Sequence, residues 1–177
     1  MLFLKLPARE HKDIVAEELN IIKVKIADYK VAKAPFILST SGLGSCVGLS
    51  LYDKKTLVGS LLHIMLPKAG ENVNPEFMAR YADTAMRLAM KEMEELGCNS
   101  AHMVAKLAGG ASMFSNLKKN TLGVGERNVE AVLEILESAS IPVEASDTGG
   151  DYGRSIEFDT ATGDMRIRSI MHGIKTI

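Results

Sequence analysis

Residues 46–63, CVGLSLYDKKTLVGSLLH, form an apolar run broken once by a short polar cluster, Asp53 to Thr56. In the first half Val47, Leu49 and Leu51 alternate with Gly48, Ser50 and Tyr52, the two-residue period of a β-strand. The polar break between two such runs predicts an antiparallel hairpin. A symmetric turn centred between Lys54 and Lys55 pairs Asp53 with Thr56, then Ser50 with Gly59, Gly48 with Leu61 and Cys46 with His63. Directly opposed residues have Cβ atoms about 4.5–5.5 Å apart on the same face, so this register brings a thiol and an imidazole within reach. A Lys-Lys turn is not of the Asn-Gly type, and one bulge would move Cys46 off His63.

The rest of the chain is organised around this hairpin. Upstream, KVKIADYKVAK and FILST read as strands, and Arg9 to Leu19 as a short helix of mixed polarity. Downstream, PKAGENVNP is a polar, turn-rich loop. Asn74 is placed to cap a long helix with Pro75 in its first turn and Gly97 at its end. Phe77, Tyr81, Ala85, Leu88, Ala89 and Leu96 fall on one side of that helix. A strand, AHMVAKLAGG, follows, then a helix from about Glu126 to Ser138 with Val129, Val132, Leu133 and Leu136 as its stripe. IPVEASDTGG, RSIEFDT and DMRIRSI return to strand patterns, the last two joined by the TATG turn. Ile156, Phe158, Met165 and Ile167 alternate with charged residues, which predicts one buried and one charged face. The expected fold is α+β, with mixed or antiparallel sheet layers flanked by about three helices.

A chain of 177 residues suits one core, so a single domain spanning 1–177 is expected, with 1–22 as an N-terminal extension. A formal net charge of -1 leaves no whole-chain footprint for nucleic acid. The N-terminus opens on a short apolar run interrupted by Lys5, and no signal peptide is read there. The longest apolar runs fall far below the ~20 residues that cross a bilayer, so no membrane insertion is expected. Two cysteines make no disulfide framework. The expected setting is the reducing cytoplasm, where a thiol stays free.

Cys46 ends the glycine-rich approach STSGLGS. A free thiol with a pKa near ~8.5 is mostly protonated at neutral pH, and a neighbouring imidazole can take its proton. The resulting imidazolium can donate its proton to a leaving amine or ammonia. Backbone amides around Gly44, Ser45 and Cys46 are candidate oxyanion donors, because glycine lets the chain turn them toward a bound carbonyl. Acyl transfer on an amide is the chemistry this combination suits. Against it stands plain packing, since free cysteines are commonly buried small residues. Cys98 and His102 have a metal-like spacing but too few companions for a metal centre, and no cofactor is expected. LAGGASMF and DTGGDYGRS lack the form of a nucleotide loop and read as tight turns or cleft walls. Met78, Met86, Met90 and Met93 read as core filler.

The segments TSGLGSCVGLSLYD, HIMLP, KLAGGASMF, GERN and IPVEASDTGGDYGRSIEFDTATGDMRIR together resemble the CheD family of chemoreceptor glutamine deamidases, from about Phe36 to Arg168. The resemblance implies an amidohydrolase that converts glutamine side chains of methyl-accepting chemotaxis receptors to glutamate. It implies Cys46 as nucleophile, His63 as general base and acid, and Thr40 as the residue that orients the histidine. Spacing alone does not separate Thr40 from Ser39, Ser41 or Ser45. The resemblance also implies a fold like that of a bacterial toxin deamidase and a partnership with the CheC phosphatase. A non-catalytic module that regulates CheC and a cysteine hydrolase acting on another amide are the competing readings.

Overall fold

The computed structural model describes residues 20–112 and 123–177. Among the described residues, ten strands form two five-stranded sheets. They are β1 (Ile21–Lys23), β2 (Tyr29–Lys33), β3 (Ile37–Leu43), β4 (Val47–Asp53), β5 (Val58–Ile64), β6 (Met103–Gly109), β7 (Val143–Thr148), β8 (Arg154–Asp159), β9 (Met165–Ser169) and β10 (Gly173–Thr176). Two α-helices among the described residues, α1 (Ala82–Glu95) and α2 (Val124–Ser138), make the fold α+β. The helix expected over Arg9 to Leu19 lies outside the described residues.

The first sheet runs β1-β3-β8-β9-β10 and the second β2-β5-β4-β6-β7. Both are mixed, because β1 is parallel to β3 and β6 parallel to β7 while the other pairs are antiparallel. The second sheet is the middle layer, with α1 on β5 and β2 and α2 on β4 along one face. The first sheet covers its other face. Val47, Leu49, Leu51, Leu62 and Ile64 pack with the helices, and Leu43, Leu61, Ile156 and Phe158 pack between the sheets. All seven residues of β4 and all seven of β5 are therefore buried. The alternation in CVGLSLYD separates two buried faces rather than a buried one from a wet one.

In β8 and β9 the expected alternation holds, with Ile156, Phe158, Met165 and Ile167 buried and Arg166 and Arg168 outside. The long helix is divided. Asn74 accepts a hydrogen bond from Glu76 N at 3.0 Å, but it caps a 3₁₀ segment, Pro75–Arg80. Tyr81 is extended (φ -107°, ψ 143°), and α1 starts after it. Phe77 and Leu96 consequently miss the core and are exposed, whereas Met86 and Met93 fill it. In α2, Val132 and Leu136 are buried as expected and Leu133 is exposed. Buried Asn128 had no place in the apolar stripe.

The hairpin register differs from the symmetric one. Asp53 pairs with Val58, so the loop is Lys54 to Leu57, and Gly48 rather than Cys46 stands opposite His63. The cause lies in Asp53. Its Oδ1 accepts from Lys55 N at 2.8 Å and Thr56 N at 3.3 Å, its carbonyl accepts from Leu57 N at 3.0 Å, and Leu57 turns through φ 56°. This turn of the aspartate type inserts two residues into the connection. A shift of two preserves facing, so His63 still points between the sheets, the layer against which Cys46 also packs.

Candidate active site

Thr40, His63 and Cys46 come to the inter-sheet layer from three directions. Thr40 lies on β3, where the register against β8 shifts between Thr40 and Leu43. Thr40 and Leu43 both point inward, with exposed Ser41 and Gly42 between them. Gly42 (φ 78°) supplies the left-handed step of this bulge, which turns the chain from the first sheet toward the second. The chain then passes through Gly44 and Ser45 to Cys46 at the head of β4. Gly48, two residues on, lets the sheets close over the site, because a Cβ there would lie 2.4 Å from Ile156 Cδ1 and 2.9 Å from Leu43 Cδ1.

His63 is fully buried. Its backbone is fixed by hydrogen bonds from its N to Asp28 O (2.9 Å) and to its O from Ala27 N (3.1 Å). Its ring is fixed by Thr40, whose Oγ1 lies 2.8 Å from Nδ1. The Thr40 hydroxyl donates to Val24 O at 2.9 Å. Its single proton is thus committed, and the oxygen can only accept from Nδ1–H. The ring is held in the tautomer whose Nε2 carries the free lone pair. Nε2 is buried and has no hydrogen-bond partner among the described residues, so the Cys46 thiol is not bonded to it at rest.

The electrostatics match a neutral resting pair. Burial pushes the Cys46 thiol above its ordinary pKa and the His63 imidazole below its own, because both charged forms lose water. Thiol and imidazole are both uncharged at neutral pH. Alkylation of Cys46 by iodoacetamide is therefore expected to rise with pH through an inflection above the usual ~8.5 of a free thiol. An inflection below pH 8 in the free protein would instead reveal a preformed thiolate.

The remaining predicted site residues divide. Gly44 N is engaged with Gly42 O at 3.1 Å, while the amides of Ser45 and Cys46 have no backbone acceptor among the described residues. Cys98 Sγ pairs with Thr56 Oγ1 at 3.3 Å, whereas His102 Nε2 meets Lys55 Nζ at 2.8 Å. The two do not converge, and no metal-binding cluster occurs among the described residues. DTGGDYGRS forms a turn whose Gly149 and Gly150 have positive φ, tied by buried Arg154 to Gly149 O (2.9 Å) and Asp147 Oδ1 (3.1 Å). No described helix is long and apolar enough to cross a membrane.

The family model described as CheD chemotactic sensory transduction matches residues 65–169, more than half of the chain. The chain belongs to the CheD family. Similarity to individual CheD proteins reaches beyond that segment, over 86–93% of the chain. A protein of Syntrophomonas wolfei named "Probable chemoreceptor glutamine deamidase CheD" is 48% identical over 159 residues, covering 89% of this chain and 99% of its own. A Pyrococcus abyssi protein of the same name is 48% identical, covering 86% and 93%. The "Chemoreceptor glutamine deamidase CheD" of Bacillus licheniformis is 43% identical, covering 93% and 99%. Among solved structures, a Neisseria meningitidis protein of family DUF152 superposes with TM-score 0.51 at 12% identity. The superposition covers 76% of this chain and 65% of that one, and the likeness is one of fold alone.

Proposed function

We propose that this CheD-family chain is a cytoplasmic, cysteine-dependent amidohydrolase that converts glutamine side chains of chemotaxis receptors to glutamate. The observation that carries the reading is the Val24–Thr40–His63 chain of hydrogen bonds, which leaves a lone pair on Nε2 in the layer where Cys46 packs. A packing histidine has no need of an oriented tautomer with one empty nitrogen. The relatives' name, chemoreceptor glutamine deamidase, supports the substrate.

The reaction runs in two steps. With the carboxamide bound, the Cys46 thiol gives its proton to Nε2 and its sulfur attacks the carbonyl carbon. The C–N bond then breaks as the imidazolium protonates the departing nitrogen, releasing ammonia and leaving a thioester. Water attacks the thioester with Nε2 as base, and the glutamate and free thiol are regenerated. Because His63 has no exposed surface and Cys46 is half-buried, the incoming side chain meets the thiol first. A thiol held protonated by burial fits proton transfer to Nε2 in the attack step rather than a preformed thiolate. It also favours a second reading, a non-catalytic module that regulates the CheC phosphatase. The CheC partnership rests on the motif resemblance and is compatible with either reading.

Thr40 separates an oriented imidazole from a packed one. Thr40→Val keeps the shape and removes the acceptor for Nδ1–H, freeing the other tautomer. Its kcat on a receptor cytoplasmic fragment is expected to fall about 10- to 100-fold, with Thr40→Ser retaining most activity. Equal turnover by Thr40→Val and the parent would remove Thr40 from the mechanism.

A further inference from the structure

Three successive carbonyls around the nucleophile are held from one side. Gly44 O accepts from Ala111 N and Cys46 O from Gly110 N, each at 2.8 Å. Between them, Ser45 O accepts from the side-chain amide of Asn128 at 2.9 Å. These donors form one layer, since the first turn of α2 is packed so closely that a Cβ on Gly125 would lie 2.5 Å from Gly110 O and 2.6 Å from Ala111 O. An extended strand sends successive carbonyls to opposite sides. Three on one side make a local concavity of amides on the other.

Asn128 is fully buried, and its Nδ2 also donates to Met65 O at 2.9 Å, two residues beyond His63. The same nitrogen thus ties the segment before Cys46 to the segment after His63. Its Oδ1 is buried with no partner among the described residues, so the residue is held there by its two donated bonds. The Ser45–Cys46 peptide is trans, because the only cis bond among the described residues is Ala34–Pro35. In a trans peptide the carbonyl and the N–H point in opposite directions. Holding Ser45 O toward α2 therefore turns Cys46 N–H away from it, and that N–H finds no backbone acceptor among the described residues.

We infer that Asn128 is a positioning residue that sets the oxyanion site, aiming the Cys46 amide at the oxygen of the tetrahedral intermediate through its grip on the Ser45 carbonyl. The inference rests on the amidohydrolase reading and adds the group that shapes its transition-state contacts. Asn128 acts through the Ser45 carbonyl that its side chain holds.

The test compares the parent with Asn128→Ala and with Asn128→Ser, which keeps one donor. Three quantities are read: kcat and KM on a receptor fragment, the rate of Cys46 alkylation by iodoacetamide, and protection from that alkylation by butanal. Butanal is the glutamine side chain together with its Cα carbon, with hydrogen in place of the amide nitrogen. Its carbonyl carbon bonds to sulfur and its oxygen takes the charge or proton, whereas alkylation develops no oxyanion. Asn128→Ala is expected to lower kcat about tenfold or more and to weaken butanal protection similarly, with KM and the alkylation rate within about twofold. Asn128→Ser is expected to fall between. Unchanged kcat or unchanged butanal protection overturns the inference. So does loss of alkylation and thermal stability in step with kcat, which would make Asn128 a purely structural brace. A parent that releases no ammonia defeats the deamidase reading, and the butanal comparison then decides the role of Asn128 alone.

Discussion

Cys46→Ala is expected to abolish ammonia release from chemoreceptor cytoplasmic fragments while leaving the fold intact. In the proposed mechanism the sulfur is the atom that bonds to the amide carbon, and no other described thiol can replace it, because Cys98 is buried and paired with Thr56. Cys46 lies at the edge of the inter-sheet cluster and is half-buried rather than central to it. Removing one sulfur there costs little packing compared with truncating a large core residue, about 2–5 kcal/mol. Loss of activity should therefore come without loss of cooperative unfolding. Ammonia release matching the parent's would assign Cys46 to packing and the chemistry elsewhere.

His63→Asn is expected to lower kcat about a thousandfold or more, close to the effect of Cys46→Ala. The asparagine amide can still donate toward Thr40, so the buried hydroxyl keeps a partner and the cost of stranding it, about 1–3 kcal/mol, is avoided. The Nε2 lone pair alone is lost. A positioned acid-base group contributes about 10²- to 10⁴-fold, and groups acting as a unit fail together rather than additively. The double variant should consequently be no slower than the worse single one. A His63→Asn variant within tenfold of the parent, or strict multiplication of the two single effects, would separate the histidine from the cysteine's chemistry.

These two residues were visible in the sequence for a reason that survives an error in register. The symmetric hairpin placed Cys46 opposite His63, and the aspartate turn moved the partner by two residues to Gly48. Since the strand period is two, the face was unchanged, and Cys46 packs against the layer into which His63 points. Thr40 was different. Four hydroxyl residues surround the nucleophile segment, and only the bulge at Ser41–Gly42 decides which points inward. Spacing carries no such information; the family motif did.

The second sheet could be read as strands but not as a middle layer, because alternation between two buried faces looks like alternation between core and solvent. The break in the long helix was hidden by a good capping sequence, Asn74-Pro75-Glu76, that opens a 3₁₀ segment instead of α1. Asn128 was missed because a polar residue beside an apolar helical stripe reads as solvent-facing. Its partners, the carbonyls of Ser45 and Met65, are 83 and 63 residues distant in sequence. The one signal available was its place in the GERN motif.

The most direct test is peptide-resolved mass spectrometry of a chemoreceptor cytoplasmic fragment incubated with the parent protein or with Cys46→Ala. Hydrolysis of a carboxamide through the cysteine predicts a gain of about one dalton at particular glutamines with the parent and none with the variant. No gain with the parent across the receptors of the source cell, or the same gain with Cys46→Ala, would contradict it.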